Sequence, residues 1–157
     1  MSAIDKFMRE AIKEAKKAEL IDEVPIGCII VKNNKIISRG HNIRESKQSP
    51  IGHAEIIAIS KASKKLKSWR LEECDIYITL EPCIMCSGAI IQSRISNIYF
   101  GAYDSKGGAL GSSINVLSAN NINHHPNVVG GILEKECSSI ITNYFKQKRE
   151  QKNKLGL

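Results

Sequence analysis

The sequence predicts an α/β protein, a three-layer α-β-α sandwich with a central five-stranded mixed sheet. Helix-type and strand-type apolar periodicities alternate along the chain in the order α-β-β-α-β-α-β-β-α. The run Ile26-Gly27-Cys28-Ile29-Ile30-Val31 is nearly all apolar, as expected of a strand that is covered on both faces. A chain of 157 residues is long enough to bury the core of such a domain.

The predicted elements follow from these periodicities and from the turn residues between them. Asn33-Asn34 predicts a tight turn between two strands, because Asn tolerates positive φ. Pro82 is expected to open a helix, where its missing N–H costs nothing. Helices are predicted from residue 4 to about 15, over 53–67, over 82–93 and from about 133 to 145. Strands are predicted over 26–31, 35–39, 75–80, 97–100 and around 128–129, with a long loop over 102–122 that has a helical turn near 114–117.

Composition places the chain among ordinary globular proteins, with 42% hydrophobic and 25% charged residues. We expect a single domain over residues 1–150 and a basic tail over 151–157. The first residues have no signal-peptide apolar block, and no apolar run approaches the length of a membrane span. Five cysteines at irregular spacing do not suggest a disulfide framework. We therefore expect a cytoplasmic protein with no membrane contact.

The net charge is +7, from 23 Lys and Arg against 16 Asp and Glu. Five of the basic residues lie between Lys146 and Lys154. Such a surface favours polyanions such as RNA. It is equally compatible with a role in solubility alone, and the basic end of the chain with a solvated, frayed tail.

Two short segments carry the chemistry, His53-Ala54-Glu55 and Pro82-Cys83-Ile84-Met85-Cys86. Cys83 and Cys86 share one helix face, so both sulfurs reach one ion. A helix N-terminus also stabilises thiolates. With His53 they offer Zn²⁺ three ligands and leave a fourth position for water, which is typical of a catalytic site.

Glu55 is the candidate proton carrier, because zinc makes water acidic near neutral pH and a nearby carboxylate can move the proton. Its two-residue offset from His53 is not a same-face helical spacing. The assignment requires a helix that begins at His53, so that the two side chains approach the metal from different directions.

Each element alone has a plainer interpretation, since a single His or a single Cys-x-x-Cys is more often structural or redox-active than part of a zinc site. Together, His-x-Glu followed by Pro-Cys-x-x-Cys is the known signature of zinc nucleobase deaminases. The combination predicts a hydrolytic deaminase. Cys28, Cys74, Cys137 and Met85 are interpreted as core residues.

Beyond the zinc motif, the chain resembles the bacterial tRNA-specific adenosine deaminases from about Ile4 to Lys148. The matching segments are 23–27 (Glu-Val-Pro-Ile-Gly), 40–42 (Gly-His-Asn), 53–55, 68–71 (Ser-Trp-Arg-Leu), 79–89 (Thr-Leu-Glu-Pro-Cys-Ile-Met-Cys-Ser-Gly-Ala), 93–95 (Ser-Arg-Ile), 121–124 (Asn-Ile-Asn-His) and 131–133 (Gly-Ile-Leu).

This resemblance implies hydrolysis of adenosine to inosine at the wobble position of the arginine tRNA with anticodon ACG, with release of ammonia. It implies the cytidine-deaminase-like fold, one zinc ion per subunit, recognition of the tRNA anticodon arm, and a homodimer in which each site is shaped partly by the neighbouring subunit. No motif indicates another protein partner.

The resemblance also assigns substrate contacts. Asn42 is expected to hydrogen-bond the purine or ribose, Ile26 to line the apolar wall, and the backbone N–H of Ala54 or Cys83 to stabilise developing negative charge. Asp104 would accept from a 2′-hydroxyl. The remaining expected RNA contacts are Arg44, Lys106 and Arg149 at phosphates, Asn123 at the neighbouring backbone or base, and Phe145 by stacking.

Several of these residues have plainer interpretations. Phe145 lies on the apolar stripe of the last helix, so core or dimer packing explains it as well. Asp104 is also typical of a residue that caps a turn, and Asn42 of one that satisfies loop backbone groups.

Two other functions compete with the deaminase of tRNA. One is an enzyme of the same fold that acts on free guanine or cytosine, which needs no basic surface. The other is a zinc-stabilised RNA-binding module without catalysis, which would have no use for Glu55 beside the metal.

Overall fold

The computed structural model describes residues 1–156 and places a mixed sheet between two layers of helices. The strands are β1 (Gly27–Lys32), β2 (Lys35–His41), β3 (Cys74–Leu80), β4 (Asn97–Ala102) and β5 (Asn127–Val129). The helices are α1 (Ala3–Leu20), α2 (Ala54–Leu66), α3 (Ile84–Gln92) and α4 (Glu134–Lys154), with a 3₁₀ turn at Val116–Ser118. This arrangement confirms the predicted three-layer α/β sandwich with a five-stranded mixed sheet.

The sheet order is β2-β1-β3-β4-β5. Strand β1 runs antiparallel to both β2 and β3, whereas β4 runs parallel to both β3 and β5. The pairs Gly27↔His41 and Leu80↔Ala102 mark one edge of the sheet. The start of β1 and the ends of β2, β3 and β4 therefore meet at this edge, which we call the C-terminal edge.

Both faces of the sheet are covered, as the apolar run of β1 predicted. Cys28 and Ile30 pack with α2 and α3 in one buried cluster. Ile29 and Val31 point to the opposite face and pack with α1 and Cys137 of α4 in a second cluster. This alternation is the period of two that a strand imposes on its side chains.

The predicted turn between β1 and β2 is confirmed in its backbone. Asn33 and Asn34 both have positive φ, at 51° and 64°. Two successive positive φ values are the requirement of a type I′ hairpin turn, which Asn meets at low cost. The turn lies at the end of the sheet opposite the C-terminal edge.

Helix α2 lies directly against β2, because residue 40 has no side chain. A Cβ built at Gly40 would collide with the backbone of Ala54 and Ala58. The glycine thus lets the first turn of α2 approach the end of β2. This close approach sets the position of the residues at the start of the helix.

Some predicted boundaries were wrong. Pro82 does not occupy the first helical position, because α3 begins at Ile84 and Cys83 is its N-cap residue. The short helical turn lies at Val116–Ser118 rather than 114–117. Helix α4 continues without a break through residue 150 to Lys154, so the division into a domain over 1–150 and a tail stays a prediction.

The cysteines outside the metal motif are buried, as expected, and within residues 1–156 the structure describes no disulfide. Met85 is only partly buried. Over the same residues, none of the helices combines the length and the apolar character that a membrane span needs.

Candidate active site

Two helices begin at the C-terminal edge of the sheet and bring their N-termini together. His53 is the N-cap of α2 and Cys83 is the N-cap of α3, both with extended backbone. Because His53 stands just outside the helix and Glu55 lies in its first turn, the two side chains leave the backbone in different directions. The condition required for the Glu55 assignment is therefore met.

The three expected metal ligands form a compact cluster. The Nδ1 atom of His53 lies 3.7 Å from Sγ of Cys83 and 3.5 Å from Sγ of Cys86. All three ligand atoms lie within 4.8 Å of one another. One imidazole and two thiols at these distances fit a divalent metal ion with an affinity for nitrogen and sulfur.

The two thiols behave as a pair that shares one proton. The hydrogen bond from Cys86 lowers the pKa of Cys83 to about 4, although partial burial opposes the shift. The same hydrogen bond, together with burial, raises the pKa of Cys86. Near neutral pH, Cys83 therefore carries the thiolate, at a helix N-terminus whose dipole favours negative charge.

Glu55 is only 4% exposed and lies beside this cluster. Burial raises its pKa to about 7, and the neighbouring Cys83 thiolate acts in the same direction. A carboxyl group with this pKa can both accept and release a proton near neutral pH. Its oxygens are not part of the three-ligand cluster, which suits a proton carrier rather than a ligand.

A cavity of about 860 Å³ opens above His53 and Ala54. Val24, Ile26, Leu80 and Ile141 give it apolar walls. Its volume falls within the usual range for small-molecule sites. Of the residues expected from the sequence to contact substrate, the cavity brings together Ile26, Asn42, Arg44, Ala54, Asp104, Lys106, Phe145 and Arg149.

The cavity mouth is basic. Arg44 follows β2, Lys106 lies in the loop after β4, and Arg149 belongs to the last turns of α4. Lys106 and Arg149 are exposed. Cations that come from three separate parts of the chain surround a single opening, which is an arrangement suited to phosphate groups.

Asn42 and Asp104 line the cavity and also bind the backbone of their own loops. Asn42 donates from its amide nitrogen to the carbonyl of Val24 (3.2 Å), and its carbonyl oxygen accepts from the N–H of Arg44 (3.1 Å). Asp104 accepts from the N–H groups of Lys106 and Gly107, both at 3.1 Å. The plainer interpretations of both residues thus have geometric support, and each keeps one side toward the cavity.

Phe145 is 43% exposed, so core packing does not explain it. Its ring makes an edge contact with Tyr144, at a centroid distance of 5.5 Å, and lines the cavity. The apolar stripe assigned to the last helix is buried only at Cys137 and Tyr144. Phe145 and Ile141, one turn before it, border the cavity instead.

Asn123 is not brought to this cavity. It precedes β5, whose first residue Asn127 pairs with Asn97 at the start of β4. That position is at the end of the sheet opposite the C-terminal edge. The lining of the cavity accordingly does not include Asn123.

The structure also adds cavity residues that the sequence interpretation missed. Ser138, Ile141 and Thr142 of α4 line the cavity, as do Val24 and Tyr103. The only signal for Val24 was its place in the segment Glu-Val-Pro-Ile-Gly. The α4 residues carried none, because a helix face that borders a cavity has the same pattern as one that borders a core.

Comparison with known proteins shows the family of this chain. The sequence matches the profile of the MafB19-like deaminase family over residues 3–149. The tRNA-specific adenosine deaminase of Bacillus subtilis (strain 168) is 48% identical over 152 residues, which are 97% of this chain and 94% of the relative. The chain belongs to the tRNA-specific adenosine deaminase family. The member from Haemophilus influenzae is 41% identical over 94% of this chain and 86% of its own length.

Solved structures give the same result for the fold. A chain from studies of A-to-I editing by tRNA:A34 deaminases at the wobble position superposes with a TM-score of 0.84 and 41% identity, covering 86% of this chain and 98% of that one. A guanine deaminase from Nitrosomonas europaea superposes with a TM-score of 0.74 at 22% identity, over 87% and 81% of the two chains. The second likeness shows a shared fold alone.

The ligand cluster makes a prediction that cobalt(II) can test as a spectroscopic probe. We expect one cobalt ion per chain, with the absorption of thiolate ligands. Cys86→Ser and His53→Ala should each weaken binding at least about tenfold, since even changes to groups around a ligand cost this much. Cys74→Ser is the matched control, because Cys74 is buried outside the cluster. Equal cobalt affinity of Cys86→Ser and the unmodified chain would show that the cluster is not the metal site.

Proposed function

We propose that this chain hydrolyses adenosine to inosine at the wobble position of the arginine tRNA with anticodon ACG, and releases ammonia. The observation that carries the proposal is the buried Glu55 carboxyl beside the His53, Cys83 and Cys86 cluster, under a cavity with a basic mouth. The names of the relatives support the choice of adenosine in tRNA.

Zinc is the metal that the donor set favours, with one ion per chain. His53, Cys83 and Cys86 would hold it, and three protein ligands leave one coordination position open. A zinc ion bound there supplies the Lewis acidity that makes water nucleophilic near neutral pH. The remaining steps are the work of this chain's own residues.

Glu55 moves the protons of the reaction. The oxygen of water forms a bond to C6 of adenine, and the bond between C6 and its amino nitrogen breaks. Glu55 takes one proton from the attacking water and delivers it to N1 of the ring. It then takes the proton of the new hydroxyl on C6 and delivers it to the departing amine, which leaves as ammonia. A carboxyl with a pKa of about 7 suits both transfers.

The cavity determines how the base is held. The target adenosine must leave its stack and enter the cavity, where Ile26 offers an apolar wall. Asn42, which lines the cavity, would hydrogen-bond the purine edge or the ribose. The N–H groups at the starts of α2 and α3 lack intrahelical partners, so those of Ala54 and Cys83 stand ready to stabilise the negative charge that develops.

The mouth of the cavity would bind the RNA loop around the flipped base. Arg44, Lys106 and Arg149, which line the cavity, would contact phosphates, and Phe145, which is 43% exposed, would stack on a flanking base. Asp104 would accept from a 2′-hydroxyl and so favour RNA over DNA. A free-base enzyme needs none of these groups at its mouth.

A homodimer completes the proposal. Asn123 does not line the cavity of its own chain, and a second subunit would bring this residue to the RNA bound there. Two exposed apolar side chains, Ile84 of α3 at 63% and Ile114 of the loop after β4 at 47%, support such a contact. A cytoplasmic location accords with a tRNA substrate.

Glu55→Gln tests the proton carrier. We expect zinc and RNA binding to be retained, since Glu55 is not a ligand, and inosine formation in an anticodon stem-loop to fall by about 10²–10⁴-fold. Glu19→Gln, on the exposed face of α1, is the control and should leave the rate unchanged. A normal rate in Glu55→Gln would remove Glu55 from the mechanism.

Substrate class is tested by parallel incubation with the tRNA anticodon stem-loop, its DNA counterpart, free guanine and free cytosine. We expect inosine in the RNA and no turnover of the free bases, because the mouth is built for a polyanion. Ammonia from guanine, with none from RNA, would favour the free-base enzyme. RNA binding without any ammonia would favour the non-catalytic module.

Lys106→Ala tests the basic mouth, with Lys35→Ala as the matched control. Both lysines are exposed, but Lys35 lies beside the β1–β2 turn at the other end of the sheet. Loss of one phosphate contact should weaken stem-loop binding and reduce the slope of log affinity against log salt by roughly 0.7–0.9. Equal slopes for the two variants would mean that Lys106 touches no phosphate.

A further inference from the structure

The cavity mouth lies between two loops, which we call the first lip (residues 42–49) and the second lip (residues 103–112). The first lip carries Asn42 and Arg44, and the second carries Asp104 and Lys106. Surface loops of this kind usually make their hydrogen bonds to solvent and within their own turns. Here each lip is also attached to a buried carboxylate that the mechanism does not use.

Glu81 holds the second lip. Its side chain is 2% exposed. One carboxylate oxygen accepts from the N–H of Asp104 (3.2 Å) and from the hydroxyl of Ser112. The other accepts from the N–H groups of Leu110 (3.0 Å) and Ser112 (3.1 Å). Four donors from one loop thus converge on a single carboxylate.

The second lip is folded tightly around this carboxylate. A Cβ at Gly108 would collide with the carboxylate of Glu81. The second lip is also bonded to Pro82, the residue after Glu81, because the N–H of Ala109 donates to the carbonyl of Pro82 at 2.9 Å. The loop with Asp104 and Lys106 is therefore tied to the segment that carries the metal ligand Cys83.

Glu23 holds the first lip in the same way. It is 1% exposed and accepts from the N–H groups of Glu45 (3.1 Å) and Ser46 (2.6 Å). These donors follow Arg44 directly. Glu23 also precedes Val24, whose carbonyl accepts from Asn42, so both cavity residues of this lip are attached to one short segment.

Burial of a carboxylate costs several kcal/mol unless hydrogen bonds replace its water. In both cases the replacement comes mainly from loop N–H groups, which keep the loops in one conformation. A binding surface that is fixed before its ligand arrives avoids the entropy cost of ordering it. The cations and polar groups at the mouth gain affinity from such preorganisation.

We propose that Glu23 and Glu81 are positioning residues that set the two lips for RNA engagement and leave the chemical step to Glu55. This inference rests on the proposed function for its substrate. It concerns residues that touch neither the base nor the metal. Their effect should therefore appear in KM for RNA and not in kcat.

The experiment compares Glu23→Gln and Glu81→Gln with Glu14→Gln. Glutamine presents an NH₂ group to donors that need an acceptor. It therefore disrupts the hydrogen bonds from the loop to the carboxylate, with little change in side-chain volume. Glu14 is the matched control because it is 3% exposed and pairs with Lys17 of α1 and with Arg39 and His41 of β2, without a hydrogen bond to either lip. Cobalt binding, amide hydrogen exchange, KM and kcat are measured for each variant.

We expect KM for the stem-loop to rise about tenfold or more in both lip variants, as small displacements of positioning groups commonly cause, with kcat changed less than about threefold. Exchange should accelerate at the amides of Glu45 and Ser46 in Glu23→Gln, and at Asp104, Leu110 and Ser112 in Glu81→Gln. Glu14→Gln should change neither KM nor lip exchange. Cobalt binding should stay the same in all three.

Three results would overturn the inference: an unchanged KM, exchange that accelerates evenly over the chain as for a general loss of stability, or loss of cobalt from Glu81→Gln. Ser112→Ala, which removes the hydroxyl and keeps the backbone N–H, serves if Glu81→Gln does not fold. It should raise KM a few-fold, and an unchanged KM in this variant counts against the second lip.

The outcomes also separate this inference from the proposed function. If the unmodified chain forms no inosine in RNA, the proposed function fails, and local exchange at the lips still decides whether the two carboxylates hold them. If the chain is active and the lip variants keep its KM, only the inference fails.

Discussion

The functional part of this molecule depends on one constraint, that two helices must begin at the same place on the C-terminal edge of the sheet. Helix α2 starts at Ala54 and α3 at Ile84, after β2 and β3, which both end at this edge on either side of β1. The N-cap positions then present His53 and Cys83 to a common point, and the first turns add Glu55 and Cys86. Helix dipoles and free N–H groups make the same point favourable for negative charge.

This site, where the two helix N-termini favour negative charge, lies inside a protein of net charge +7. The Cys83 thiolate and the buried acids lie within the fold, whereas cations such as Lys106 and Arg149 stand at the mouth of the cavity. This separation has a chemical use. In the proposed mechanism, the interior charge would hold a metal and move protons, and the exterior charge would attract a polyanion without neutralising the groups that do the chemistry.

The buried carboxylates of the site show how burial and hydrogen bonding lead to different roles. Glu55 is desolvated beside a thiolate, so its pKa rises to about 7 and its proton becomes mobile. Burial also opposes the charge of Glu81, but hydrogen bonds from Ser112 and from loop N–H groups outweigh it and lower the pKa. Glu81 therefore stays ionised and serves as an acceptor. A buried glutamate therefore carries a transferable proton at Glu55, whereas at Glu81 it is an ionised acceptor that fixes a loop.

The sequence by itself determined the fold class, the order of the helices and strands, and the chemistry of the three side chains that could hold a metal ion. Strand and helix periods, the Asn33-Asn34 turn and the spacing of Cys83 and Cys86 are local patterns, and local geometry follows from them. Only the tertiary structure decided which loops meet at the mouth of the cavity, and that Glu23 and Glu81 hold these loops. It also decided that Phe145 faces the cavity while Tyr144 is buried, and that Asn123 precedes a strand that starts at the other end of the sheet. Those facts depend on contacts between residues distant in sequence, which strand order and helix packing bring together and no local pattern encodes.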